Sequence, residues 1–220
     1  MFVGHTALAL AAKARAPRTS LGLLWAAAVT LDLLWPPFLL LGLERVRIAP
    51  GDTAFTPLAF DSYPWSHSLL MALVWGAILA LIVARRGAEP GAPLLIGALV
   101  VSHWVLDFVS HRPDMPLWPG AGAPRVGLGL WNSVPATLAV EGLLFLAGIT
   151  IYVRVTRPRD RIGVWAFWSF LLVQTVLWAS GPWSALPPSA AAVAWVSLGA
   201  WLFVLWAWWA DRHRVATEGT

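Results

Sequence analysis

Ser102-His103-Trp104-Val105-Leu106-Asp107-Phe108-Val109-Ser110-His111 closes an apolar run that starts at Ala92. A run of about twenty such residues is long enough to cross a bilayer as a helix. This one also carries two imidazoles and a carboxylate, each four residues from the next. On a helix that spacing puts His103, Asp107 and His111 on one stripe, with successive Cβ atoms roughly 6 Å apart. An aspartate at the centre of a spanning helix costs roughly 2.5–3.5 kcal/mol on insertion scales, so it persists where a partner or a cation compensates it. The stretch therefore reads both as a membrane span and as one wall of a polar site within a helical bundle.

The rest of the chain agrees with the membrane reading. Its 220 residues are 59% hydrophobic and only 12% charged, with a mean hydropathy of +0.70. A soluble domain would carry roughly twice that charged fraction. Apolar blocks at Leu21–Leu43, His67–Ala84, Ala92–His111, Trp131–Val153, Ile162–Ser180 and Ser189–Ala210 predict about six transmembrane helices, preceded by a short helix over Phe2–Ala12. The expected fold is an all-α polytopic membrane bundle forming one domain over residues 1–220. Pro36-Pro37 predicts a kink in the first span, and residues 44–65 and 112–130 read as polar loops. No cationic stretch precedes the first apolar run, so a cleavable signal peptide is not expected. The sixteen tryptophans suit headgroup anchoring.

Loop charges suggest an orientation. Lys13, Arg15 and Arg18 fall on the same side as Arg85 and Arg86, and as Arg154, Arg157, Arg159 and Arg161, whereas the loops of the other side are close to neutral. The basic side is expected to be cytoplasmic in a plasma (inner) membrane, with the C-terminus on that side too. The net charge of +4 is thus accounted for by orientation, and no nucleic-acid partner is expected. Asp211, Arg212, His213 and Arg214 read as a solvated tail.

Seven ionisable residues, His5, Asp32, His67, His103, Asp107, His111 and Glu141, lie inside or at the ends of the first five apolar segments. Unpaired, the three carboxylates alone would cost on the order of 10 kcal/mol, comparable to the whole stability of a domain. Mutual pairing or a bound cation would compensate them, and imidazole with carboxylate suits Zn²⁺ and similar ions. At 1.5 Å per residue Asp32 lies about 18 Å from one end of its span, Glu141 about 15 Å and His103 about 12 Å from the opposite ends of theirs. These depths converge in the middle and outer leaflet, which predicts a pocket open to the outer side. Cysteine is absent, which removes thiolate ligands, disulfides and a cysteine nucleophile. Residues 156–220 hold Gln174 and little other polar chemistry, so the last two spans read as structural. Trp201, Trp206, Trp208 and Trp209 make the sixth a lipid-facing or packing surface where copies of the chain could associate.

Gly4-His5, Leu31-Asp32, Trp65-Ser66-His67-Ser68-Leu69-Leu70, Ser102-His103-x-x-x-Asp107 and Pro116-Leu117-Trp118-Pro119, in that order, resemble the YdjM-like family of membrane-bound metal-dependent hydrolases. That family is distantly similar to zinc-dependent phospholipase C. The resemblance covers roughly residues 1–120. It implies His5, Asp32, His67, His103 and Asp107 as ligands of one to three divalent ions, zinc by type, and extends to His111 and Glu141 on the phospholipase-like pattern. The chain departs from these patterns at Leu34, Ser62 and Thr137, where the family or the phospholipase group carries an Asp or a His; one metal subsite would be altered there.

Three functions stay open at this stage. The first is hydrolysis of a phosphoester or phospholipid-like substrate drawn from the membrane, with Asp32 as base or bridging ligand and Arg112 or Arg125 holding the phosphate. Headgroup anchoring is the plainer role for those two arginines. The second is ion or proton transport, since intramembrane carboxylates and histidines also mark such pathways. The third is metal binding without turnover.

Overall fold

The structure is a computed structural model and describes residues 1–217. The helices are α1 (Val3–Ala12), α2 (Leu21–Ala28), α3 (Thr30–Leu40), α4 (Pro64–His67), α5 (Leu69–Arg85), α6 (Ala92–Ser110), α7 (Val134–Val155), α8 (Arg161–Ser180), α9 (Ala190–Ser197) and α10 (Ala200–Arg212), with the long connections at 41–63 and 111–133. Three two-stranded antiparallel hairpins complete it: β1 (Arg45–Ile48) with β2 (Leu58–Ser62), β3 (Met115–Pro116) with β4 (Arg125–Val126), and β5 (Thr156–Pro158) with β6 (Arg214–Ala216).

Among the described residues, four helical segments are long and apolar enough to cross a membrane: Ala92–Ser110, Val134–Val155, Arg161–Trp183 and Ala190–Arg212. Leu21–Ala28 and Thr30–Leu40 make a fifth if the bent pair is counted as one span. The expected second span is helical but only 17 residues long, so the count of about six is not reached. Large apolar side chains point outward along these helices, among them Leu94, Leu143, Trp165 and Val196, each at least two-thirds exposed. Such a surface suits lipid.

The first span breaks where the prolines do not lie. Pro36 and Pro37 sit inside α3, while the 59° bend falls at Val29, between α2 and α3. The break places Asp32 in the first turn of α3, where the positive end of the helix dipole favours a carboxylate.

α1 is a core element despite its length, with eight of its ten residues buried. It packs along α7 and also touches α2 and α6. Ser20, Ser68 and Ser133 cap α2, α5 and α7 by accepting the N–H of Leu23, Met71 and Ala136. Two close crossings depend on glycine. Gly76 of α5 meets Gly97 of α6, where a Cβ on Gly76 would stand 2.9 Å from the Gly97 carbonyl oxygen. Gly148 of α7 meets Ala7 of α1, where a Cβ would stand 2.5 Å from the Ala7 carbonyl oxygen. Small residues permit such backbone approach between membrane helices. Gly148→Ala is therefore expected to force α1 off α7 and cost about 1–3 kcal/mol, measured as a lower unfolding temperature of the detergent-purified protein. An unchanged temperature would show that α1 is not held there.

Residues 211–214 do not form a solvated tail. Asp211 is buried and pairs with Lys13 (2.7 Å), while also accepting from the Leu21 N–H (3.0 Å) and the Tyr152 hydroxyl (2.7 Å). Arg214 is buried too; it donates to the Thr156 and Gly163 carbonyls and lies over the rings of Tyr152 and Phe167. His213 bonds Asp160 (2.7 Å). A run rich in charge looks solvated in sequence, but here Asp211, His213 and Arg214 meet partners from elsewhere in the fold, and only Arg212 is exposed, over Trp208 of its own helix.

Candidate metal centre

The broken first span, α1, α4 and α6 bring five of the seven expected residues to one point. His5, His103 and Asp107 form one group of facing ligand atoms; Asp32, His67 and His103 form a second that shares His103.

The hydrogen bonds around the two central histidines decide which ring atoms face inward. His103 Nδ1 lies 2.8 Å from the Ala28 carbonyl, which only accepts, so Nδ1 carries the proton. Ala28 ends α2, and carbonyls at a helix end lack intrahelical donors; the break at Val29 thus supplies the acceptor. His67 Nδ1 lies 2.7 Å from Ser66 Oγ, whose own proton goes to Glu44 Oε2 at 2.7 Å. Glu44 is anchored in turn by the N–H groups of Trp65 (2.9 Å) and Ser66 (2.8 Å). Burial pushes the Glu44 carboxyl above its ordinary range, against the pull of His67 and these donors. His67 Nδ1 is therefore a donor as well.

Both Nε2 atoms face carboxylates, and in the neutral ring each would present a lone pair there. His67 Nε2 is 3.5 Å from Asp32 Oδ1 and 3.7 Å from Asp107 Oδ2. His103 Nε2 is 3.7 Å from Asp32 Oδ1 and 3.1 Å from Asp107 Oδ2. With neutral rings, two nitrogens and two carboxylate oxygens this close favour positive charge among them. A tetrahedral ion with bonds of about 2.0–2.1 Å sets its ligand atoms about 3.3–3.4 Å apart, which the four histidine–aspartate separations bracket, although Asp32 and Asp107 belong to different groups. His5 joins from the other side: its ring stacks on His103 (3.7 Å between centroids) and its Nε2 is 3.1 Å from Asp107 Oδ1. The Met1 nitrogen pairs with that same oxygen. The donor set fits a divalent ion, and the histidine–serine–glutamate and histidine–carbonyl contacts are the outer partners that orient metal-binding imidazoles.

Access is one-sided. The side chains of His5, His67, His103 and Asp107 are at most 6% exposed, whereas that of Asp32 is 44% exposed.

The other two expected ligands lie outside both groups. Glu141 Oε2 accepts the N–H groups of Phe2 (2.7 Å) and Gly4 (3.4 Å), and so holds the start of α1; its Oε1 is buried without a partner. The His111 ring turns away because α6 ends at Ser110 and His111 is extended (φ −69°, ψ 149°). Its Nδ1 instead meets Asp114 (3.1 Å) and the Tyr63 hydroxyl (3.3 Å), with its ring against Trp131 and Phe60. Burial disfavours the Asp114 carboxylate, but bonds from His111, Tyr63 and Arg112 hold it below its usual value. Burial and that carboxylate push the Tyr63 hydroxyl well above its own, so it stays a donor. Arg112 is taken up by Asp52 and Asp114. Arg125 donates to the Asp61 carbonyl (3.0 Å) and lines an open cleft.

Glu44 is the residue that the sequence reading missed. Nothing distinguishes it there from other loop carboxylates; only the hairpin that follows it brings it back onto Ser66. In comparisons with protein-family models, curated proteins and solved structures, nothing matches this chain.

Proposed function

We propose that this chain is an integral membrane hydrolase of a phosphoester carried by a lipid-like amphiphile, working with a divalent ion held by His5, Asp32, His67, His103 and Asp107. One observation carries the reading. Two imidazoles, each fixed through Nδ1 by a second hydrogen bond, aim their Nε2 atoms at two carboxylates, and only Asp32 among them is open. Zinc suits the nitrogen and oxygen donors, and two ligand groups sharing His103 suit one ion or a close pair.

An ion held there would supply charge neutralisation for a phosphoryl oxygen and acidify water at the site. The chain's residues do the rest. His67 and His103 are kept in a single orientation by Ser66 and Ala28. Asp107, buried among three histidines, adds fixed negative charge that holds the cation. Asp32, facing the opening, accepts the proton of the attacking water. In the orientation suggested by the loop charges, the site opens to the outer side of the plasma membrane.

The test uses detergent-purified protein and a panel of phosphatidate, lipid diphosphate and soluble aryl phosphate. Wild type is expected to hydrolyse at least one, to lose turnover with a chelator, and to fall about 100-fold or more in kcat as Asp32→Asn. Metal bound tightly with no turnover on any substrate would leave a metal-binding protein and end the hydrolase reading. The break at Val29 beside Asp32 favours a second reading, ion transport, because broken spans also build ion sites. Asp32-dependent flux of Zn²⁺ or protons in proteoliposomes, without hydrolysis, would establish it instead.

A further inference from the structure

We propose that the cleft between the β1–β2 and β3–β4 hairpins binds a phosphoanion of about two negative charges, presented as the headgroup of a membrane amphiphile. The cleft measures about 270 Å³. Arg45 at the start of β1 and Arg125 at the start of β4 line it from opposite hairpins, and buried Tyr63 and Asp114 line it as well.

Its charge is decided by which groups already have partners. Asp61 is held by Arg47 through two bonds of 2.6 and 2.9 Å. Asp114 accepts from Tyr63, His111 and Arg112. Asp61 therefore has a cation of its own, and Asp114 is engaged by three donors, of which Arg112 is shared with Asp52. The Arg45 side chain has no hydrogen bond or ion pair among the described residues, and Arg125 uses one side-chain N–H on a neutral carbonyl. Two guanidinium groups are left to face one space, and such forks match phosphate oxygens. Gly120 to Ala123 edge the cleft with nothing larger than a methyl group, and Trp118, 45% exposed, stands beside them. An indole at that place suits a headgroup arriving from the interface. The cleft also adjoins the metal centre, since the Tyr63 ring lies 5.3 Å from that of His67. As the place where a substrate is held, the inference rests on the hydrolase reading; as an anion site, it stands apart from it.

Calorimetric titration of the full chain in detergent tests it, with inorganic diphosphate and short-chain phosphatidate as separate probes. Metal content is measured in every sample. Arg45→Gln and Arg125→Gln are each expected to weaken binding about tenfold, and their combination about 100-fold, with metal content unchanged; each arginine is exposed, so the fold should tolerate the change. Arg45→Lys should recover only part of the loss, because the fork is gone. Phosphatidate binding at least tenfold tighter than diphosphate would support the membrane source; the reverse order would overturn it in favour of a free anion. Unaltered affinity for both probes in the double variant would overturn the proposal and leave the hydrolase reading intact. Arginine-dependent binding without any hydrolysis would uphold this site while the hydrolase reading fails.

Discussion

His103→Ala is expected to strip the purified protein of its metal, with an apparent affinity at least about 100-fold below wild type, since even outer-sphere changes cost 10–100-fold. His103 is the residue both ligand groups share, so no smaller group survives its removal. The substitution also leaves the Ala28 carbonyl without its donor, at about 1–3 kcal/mol, and takes a ring from beside Asp107. Helical content and the elution profile must therefore be recorded with the metal count. His111→Ala is the paired control. Its ring sits with Tyr63 and Asp114, beyond both groups, so metal content should equal wild type. Equal metal in His103→Ala and wild type would remove the centre described above, and loss in His111→Ala alone would relocate it.

Asp211→Ala is expected to be the most destabilising single change away from the centre. It leaves the Lys13 ammonium buried at 6% side-chain exposure and frees the Leu21 N–H and the Tyr152 hydroxyl as well. Removing one member of a buried ion pair costs about 3–5 kcal/mol, or roughly 10 °C in unfolding temperature for a chain of this size. Lys13→Met combined with Asp211→Leu should recover much of that, because apolar replacement of a buried pair is often neutral. A single variant that melts within about 2 °C of wild type would show that the pair is solvated.

The sequence announced the membrane helices and most of the centre for simple reasons. Hydropathy is a local sum, so Ala92–Ser110 and Val134–Val155 were legible as spans. The spacing of four between His103 and Asp107 was legible because both lie within one helix. His111 shows where that logic stops: a helical stripe holds only while the helix lasts, and α6 ends one residue too soon. Pro113 lies close by, and helices usually end before a proline. The position of the break in the first span was misread for a similar reason. Proline marks where a bond must be missing, yet the bend sits seven residues earlier, at Val29. Glu44 and Asp211 were illegible because their partners are 22 and 198 residues away, and no local pattern encodes such distances. Gln174, read as an isolated polar residue, accepts from Thr6 (2.6 Å), which accepts in turn from the Trp25 indole (2.9 Å).

That last chain of contacts, together with the strand pairing of residues 156–158 with 214–216, means that the half carrying the candidate centre cannot be treated as a detachable module. A chain cut after Val155 would lose Gln174 from Thr6, Asp211 from Lys13 and the clamp on the lower end of α7 at a stroke. The helix carrying His5 would keep its packing on α7, α2 and α6 but lose the ties from residues beyond 155 to Thr6 in its middle and to Lys13 at its end. The two tryptophan-rich spans thus serve as a brace for the clustered histidines and aspartates, although they contribute none of them.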